Sequence, residues 1–257
     1  MPRIARQRSE SGIYHIMLRG ANRQEIFHDD EDNIRFLETL ERYKNKSKMK
    51  VYGWCLMGNH VHLLIGEGEE DISLTIKRIG ISYAWFYNWK YNTNGHLFQD
   101  RYKSEKVEDN GYLLTVLRYI HQNPVKAGIT KKTGEWKWSS FSGYLGKTYY
   151  PTGLLDLDFI LEIISENREK AIRKLIEYNE QENEDKCLEE IKRQRLTDKE
   201  AGAEIRKQTC GYDIAEIKSL PKEQRDEILK RIKEIKGLSL RQAARILGIS
   251  HVLIFKS

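Results

Sequence analysis

Apolar and polar positions follow two periods along the first 150 residues. Short apolar runs bounded by polar or glycine residues are typical of strands, and recurrence every three to four positions is typical of helices. The strand-like runs lie at 13–18, 51–57, 60–65 and, as an edge strand, 106–108. Helical spacing covers 31–46, 71–91 and 110–123. This order predicts an α+β fold, a ferredoxin-like antiparallel sheet with helices on one face.

The pair Gly58-Asn59 separates the second and third apolar runs, which is the strongest local signal for a β-hairpin. Successive side chains of a strand point to opposite faces, so His60 and His62 share one face and Val61 points to the other. Two imidazoles on one rigid strand can bind one divalent ion together. The alternative is a half-buried strand with two polar residues on its wet face.

The helix predicted over 110–123 presents a tyrosine and a carboxamide together. Its core face consists of Leu113, Leu117 and Ile120. Tyr119 and Asn123 are one turn apart on an adjacent face, together with Tyr112. Pro124 is expected to end this helix, because the residue before a proline is disfavoured in the helical region.

The segment 94–104 mixes aromatic side chains with arginine and lysine. Such interleaving suits stacked bases and phosphates of single-stranded nucleic acid. The alternative is a loop pinned by Leu97 and Phe98, and the sequence leaves both open.

A chain of 257 residues accommodates one sizeable domain and a smaller one. No apolar run approaches the roughly 18 residues of a membrane span, and no secretory signal opens the chain. Three cysteines without a CxxC pair suit a reducing cytosol. Net charge is +6 over 1–150, −6 over 151–217 and +6 over 218–257. Two basic regions suggest two surfaces for a polyanion, and an ordinary lysine-rich surface is the alternative.

The last stretch has the pattern of a helix-turn-helix. Ser239 is a helix cap, Gly248 gives a sharp turn, and a third helix opens at 249–251. Only residues 250–257 remain for the recognition helix, so the motif could be truncated. We therefore predict a catalytic domain over 1–150, a charged helical connection over 151–217 and a helix-turn-helix segment over 218–257.

Residues 56–64 (LMGNHVHLL) resemble the histidine–hydrophobe–histidine (HUH) motif of single-tyrosine, IS200-like transposases. The segments 14–20, 95–104 and 118–128 resemble the same family. The REP-associated tyrosine transposases are the branch most similar to this sequence, and the resemblance covers about residues 9–146.

The resemblance implies an enzyme that cleaves and rejoins single-stranded DNA near hairpins through a 5′-phosphotyrosine. By motif position, Tyr119 is the nucleophile. His60, His62 and Asn123 are the expected ligands of Mg²⁺ or Mn²⁺. A metal-dependent hydrolase using the two histidines and carboxylates is disfavoured, because no paired Asp/Glu motif lies beside them.

The expected partner is single-stranded DNA with hairpins, with a duplex contact by the C-terminal segment. The residues expected to contact DNA are Arg19, Arg23, His96, Gln99, Arg101, Lys103, Arg118, Lys126, Arg241, Gln242, Arg245 and His251. No membrane association is expected. A bacterial, nucleoid-associated cytoplasmic location and a monomer are expected, with a dimer left open. The alternative function is a domesticated DNA-binding protein or repressor without transposition activity.

Overall fold

Four antiparallel strands form one sheet in the part of the chain that the structure, a computed structural model, describes. The described residues are 7–188, 196–209, 211–235 and 237–257. The strands are β1 (Ile13–Arg19), β2 (Lys50–Met57), β3 (His60–Gly66) and β4 (Lys103–Val107). Their spatial order is β2-β3-β1-β4. β1 therefore lies between β3 and β4, which are distant from it in sequence.

The helices accompany the sheet and continue beyond it. In the first part of the chain they are α1 (Asp30–Ser47), α2 (Ile72–Lys90), α3 (Asn110–Lys126), α4 (Phe141–Tyr144), α5 (Leu157–Ile164) and α6 (Arg168–Glu180). Further along they are α7 (Asp198–Gln208), α8 (Lys222–Lys233), α9 (Leu240–Leu247) and α10 (His251–Lys256). The α+β class and the β-α-β-β-α-β order of the first six elements follow the prediction.

Helices cover both faces of the sheet. Helix α3 packs on β2 and β3, on the face that carries His62. All residues of β2 after Lys50 and all of β3 after His60 are buried, whichever face they point to. A sheet with helices on one face would leave alternate side chains exposed, so the prediction of helices on one face is wrong.

Pro124 lies inside α3, and the prediction that the helix ends before it is wrong. A proline removes one backbone donor and disfavours the helical conformation of the residue before it, but neither effect forbids one further turn. The Ala127 N–H donates to the Asn123 carbonyl at 2.9 Å and closes that turn. Asn123 is thus helical, and its one-turn separation from Tyr119 holds.

The chain divides into two compact units, 1–188 and 189–257, whereas the catalytic domain was predicted over 1–150. Asp156 explains part of the difference, because its carboxylate and its N–H bond the N–H and carbonyl of Val51 on β2, both at 2.8 Å. Apolar residues of α5 and α6, such as Ile160 and Leu175, belong to the same core as the sheet. By this division residues 1–188 carry 28 Lys and Arg against 27 Asp and Glu, and residues 189–257 carry 16 against 11.

The second unit is helical and has its own apolar core, which includes Ile205 of α7, Leu229 of α8 and Ile254 of α10. The Ser239 hydroxyl caps α9 by accepting from the Gln242 N–H at 3.1 Å, as predicted. Gly248 ends α9 with φ +64°, a left-handed conformation that glycine adopts without strain. Across both units, no helix of the described residues is long and apolar enough to cross a membrane.

Candidate active site between β1, β3 and α3

The β2–β3 hairpin positions the two motif histidines. Met57 pairs with His60, so Gly58-Asn59 is a two-residue turn as predicted. The Gly58 carbonyl accepts from the Ile26 and Phe27 N–H groups at 2.8 and 3.1 Å, which ties the turn to the body of the unit. The register of His60 and His62 is therefore fixed from both sides.

His60 and His62 lie side by side, with ring centroids 5.0 Å apart. His60 is half-buried, and His62 is only 2% exposed. The Nδ1 atom of His60 lies 2.6 Å from Asn59 Oδ1, and that of His62 lies 3.0 Å from His15 Nε2. The alternative of two polar residues on a wet strand face is thus wrong, because this face is covered.

Burial lowers the pKa of His62 well below its ordinary value, and the neighbouring charges of His15, His60 and Arg19 lower it further. Burial also lowers the pKa of His15, against the opposing effect of Glu105. Both imidazoles are therefore neutral at pH 7. A neutral imidazole is the form that coordinates a metal ion.

Tyr119 projects from α3 onto this pair of strands. Its ring centroid lies 5.6 Å from that of His62 and 5.7 Å from that of His15, both in edge-on geometry. Asn123, one turn later, donates from Nδ2 to the Tyr119 carbonyl at 3.0 Å. The structure thus brings His60, His62 and Tyr119 together, and Asn123 follows on the same helix.

Tyr112, on the same helix face, has different surroundings. Burial raises its pKa, and a hydrogen bond to the Glu105 carboxylate and the nearby Cys187 raise it further. These are partners that disfavour a phenolate. The surroundings of Tyr112 therefore disfavour the phenolate that a nucleophilic tyrosine would form.

The two histidines are donors of a type that binds divalent ions. Each has its Nδ1 beside a hydrogen-bonding partner, so Nε2 is the nitrogen that would coordinate such an ion. Within the described residues, no group of three or more His, Cys, Asp or Glu side chains could hold a metal ion. A third ligand would have to be a carboxamide such as that of Asn123.

The predicted DNA-contact residues of the loop lie next to the site. The Leu97 carbonyl accepts from the Ala21 N–H at 2.8 Å, and the Gln99 N–H donates to the Arg19 carbonyl at 2.9 Å. Arg19 itself pairs with His60 across the sheet. Leu97 is buried, so the loop is pinned as the alternative reading supposed. It nonetheless presents exposed polar side chains, namely His96, Gln99, Arg101 and Lys103.

Other predicted contacts have varied surroundings. Arg19 is half-buried, whereas Arg23, Lys126, Arg241 and His251 are exposed. Arg118 is buried, and its guanidinium bonds both carboxylate oxygens of Asp185 at 2.8 and 3.0 Å. This geometry gives Arg118 a structural role, which differs from the DNA contact predicted for it.

Two residues of α9 also have partners inside the second unit. Gln242 donates to the Leu196 carbonyl at 2.7 Å and to Asp198 at 3.0 Å. Arg245 pairs with the same Asp198 carboxylate at 2.6 Å. These contacts link α9 to the start of α7.

His15 and Glu105 were not among the residues predicted from the sequence, and they lie on the same face of the sheet as the histidine pair. His15 pairs directly with Glu105 on β4, and its diagonal neighbour across β3 is His62. The available signal was a histidine inside the apolar run 13–18, which on its own is equally typical of a core histidine.

Residues 9–123 match the family model described as "Transposase IS200 like". A putative REP-associated tyrosine transposase of Haemophilus influenzae is 25% identical over 167 residues, which cover 59% of this chain and 92% of that protein. A REP-associated tyrosine transposase of Escherichia coli K12 is 22% identical over 112 residues, covering 43% and 65%.

A solved structure of a REP-associated tyrosine transposase, bound to a REP hairpin, has a similar fold. The TM-score is 0.50 at 19% identity, over 62% of this chain and 90% of that chain. At this identity the similarity supports the fold.

Proposed function

We propose that the protein cleaves and rejoins single-stranded DNA at hairpin sequences, because residues 9–123 match the IS200-like transposase family and the chain is distantly similar to the REP-associated tyrosine transposases. The nucleophile is Tyr119. The observation that carries the proposal is the edge-on approach of the Tyr119 ring to His62 at 5.6 Å.

In the proposed step the Tyr119 phenolic oxygen attacks the scissile phosphorus and loses its proton. The new O–P bond leaves the 5′-phosphate on the tyrosine, and the bond from phosphorus to the 3′ oxygen breaks. That oxygen takes up a proton and leaves as a 3′-hydroxyl. A 3′-hydroxyl can attack the phosphotyrosine in the reverse sense, so the covalent bond conserves the energy for rejoining.

A free phenol has a pKa near 10, so Tyr119 needs a setting that favours loss of its proton as it attacks. The residues that would hold the expected Mg²⁺ or Mn²⁺ are His60 and His62, through Nε2, and Asn123, through its amide oxygen. When bound, such an ion offsets charge on the phosphate and orients it. The protein's part is to hold two neutral imidazoles at a fixed spacing and to keep Tyr119 beside them.

The loop carrying His96, Gln99 and Arg101 offers a DNA path to the site. Its backbone bonds to the end of β1 set these side chains beside Arg19, the cross-strand neighbour of His60. Exposed arginine and lysine suit phosphates, and glutamine and histidine suit base edges. We assign hairpin recognition to this loop together with Arg23 and Lys126.

Mapping of a covalent adduct tests the nucleophile. The full chain is incubated with a labelled single-stranded hairpin oligonucleotide and Mg²⁺, then denatured and digested. Mass spectrometry should find the nucleotide on the peptide containing Tyr119. An adduct on Tyr112, which shares the helix face, would overturn the assignment.

The second unit supplies a further DNA contact in this proposal. It carries the net positive charge of the chain, five of the six charges. The three-residue turn between α9 and α10, with Gly248 in the left-handed conformation, is consistent with a helix-turn-helix. Arg241 and His251 are exposed at the first turns of these two helices and are the residues we assign to duplex DNA.

An Arg241→Gln substitution in the full chain should weaken binding of duplex-flanked hairpins. The slope of log affinity against log salt should fall by about one, because one phosphate contact is lost. Lys207→Gln is the charge-matched control, since Lys207 is exposed on α7 and pairs with Glu204 at 2.5 Å. If the slope of log affinity against log salt is the same for Arg241→Gln and the unmodified chain, Arg241 does not contact duplex DNA.

A further inference from the structure

His15 is a fully buried polar residue that the proposed chemistry does not use. Its Nε2 lies 3.0 Å from Nδ1 of His62, and its Nδ1 lies 3.7 Å from an oxygen of Glu105. The second distance is within ion-pairing range but longer than a hydrogen bond. Glu105, His15 and His62 therefore form a row across β4, β1 and β3, on the face that α3 covers.

Protons are donated in one direction along this row, because its members differ in whether they can donate a hydrogen bond. A carboxylate only accepts, so it favours the form of His15 that has its proton on Nδ1. A neutral His15 has one N–H, and its Nε2 is then an acceptor. The group facing that acceptor, Nδ1 of His62, must be the donor. His62 then has its lone pair on Nε2.

His60 reaches the same state by a different route. Its Nδ1 faces the Asn59 amide oxygen at 2.6 Å, and the Asn59 amide nitrogen donates to the Arg23 carbonyl at 3.3 Å. The amide is thereby oriented with its oxygen towards the ring. An amide oxygen only accepts, so His60 also has its proton on Nδ1.

We propose that Glu105 and His15 are positioning residues that set the tautomer of His62, so that both motif histidines present an Nε2 lone pair. The proposal rests on the proposed function for its purpose, since those lone pairs are what a divalent ion needs. The tautomer of His62 that it predicts is a property of the protein in the absence of metal and DNA. A His62 ring with its proton on Nε2 could not coordinate until that proton moved.

Nitrogen NMR of the histidine rings tests this directly. The full chain, labelled with ¹⁵N-histidine and free of metal and DNA, contains seven histidines. The His62 signals are assigned by their loss in His62→Gln. We expect a protonated Nδ1 and an unprotonated Nε2 for His62. A protonated Nε2 in the unmodified chain would overturn the proposal, whatever the protein does to DNA.

Two substitutions at His15 separate positioning from packing. In His15→Leu the acceptor is lost, and His62 should shift its proton to Nε2. Mn²⁺ affinity should fall by about tenfold to a hundredfold, as for other outer-shell partners of metal-binding histidines. His15→Gln retains an acceptor oxygen and should restore both the tautomer and most of the affinity. An unchanged tautomer in His15→Leu, or no rescue by His15→Gln, would overturn the proposal.

Substitution of Glu105 provides a test outside the core, in case His15→Leu does not fold. Glu105→Ala removes the charge that selects the His15 tautomer, so His62 should become a mixture of both forms. The matched control is Glu108→Ala, because Glu108 binds the backbone around Ser11 instead. A mixture of the two His62 tautomers in Glu108→Ala, or a single His62 tautomer in Glu105→Ala, would contradict the proposal. The adduct on Tyr119 is assayed separately, so the failure of one proposal is distinguishable from that of the other.

Discussion

Replacing Tyr119 with phenylalanine should reduce the rate of hairpin cleavage by on the order of 10⁴-fold or more, because the group that forms the covalent bond is removed. The ring that contacts His62 and His15 is retained, so the packing of α3 on the sheet should not change. Hairpin affinity should stay within about threefold, since the assigned phosphate contacts come from other residues. The measurement is single-turnover cleavage beside a binding titration.

Tyr112→Phe is the matched control for this substitution. It removes a phenol from the same helix face, but one that bonds Glu105 and lies near Cys187. Cleavage by this variant should stay within about tenfold of the unmodified chain, because Tyr112 does not react in the proposed step. If Tyr119→Phe still cleaves and Tyr112→Phe does not, the roles are reversed. If Tyr119→Phe loses binding as well, the tyrosine has a structural role, and a DNA-binding protein without cleavage becomes the better description.

His62→Ala should lower single-turnover cleavage by roughly 10³-fold, because loss of a ligand and its ion removes several kcal/mol of transition-state stabilisation. His60→Ala should behave similarly. Hairpin binding should largely persist in both variants, since the recognition loop is unaltered. The cleavage rate is measured over a range of Mg²⁺ and Mn²⁺ concentrations, and a partial recovery at high Mn²⁺ is expected for the more exposed His60 position.

His28→Ala is the control for the histidine variants. His28 is exposed and bonds Tyr87, a residue of α2. Its removal should leave cleavage and binding unchanged within about twofold. An equal loss of binding and cleavage in His62→Ala would indicate that the pair has only a structural role in the hairpin.

The local parts of the site were predictable from the sequence because short-range rules determine them. The Gly58-Asn59 turn sets the register of β2 and β3, so the shared face of His60 and His62 followed from strand geometry. Helical periodicity likewise placed Tyr119 and Asn123 one turn apart. The HUH resemblance then identified the strands and helix that would meet.

The missed residues depend on pairing between distant strands. His15 and Glu105 are ninety positions apart in the sequence and pair across β1 and β4. His15 also lies beside His62 only because β1 lies between β3 and β4 in the sheet. No local pattern specifies that order. The ion pair of Arg118 was not predictable for a similar reason, because its partner Asp185 lies 67 positions later in a segment predicted to be a separate connection.

The helix that carries Tyr119 is held from the side by residues 178–185. Beyond the Arg118 pair, the His121 Nδ1 lies 3.0 Å from Asn179 Oδ1, and Gln122 donates to the Asn179 carbonyl at 2.7 Å. The family match ends at Asn123, before any of these partners. A buried charge or amide that loses its partner is strongly destabilising.

The segment that must be transferred together to another protein is therefore longer than residues 9–123, which the family model covers. A chimera that joined residues 9–123 to a foreign scaffold would carry most of α3 without the partners of three buried polar side chains, Arg118, His121 and Gln122. Exchange between relatives should succeed when the crossover lies beyond residue 188, where the first compact unit ends.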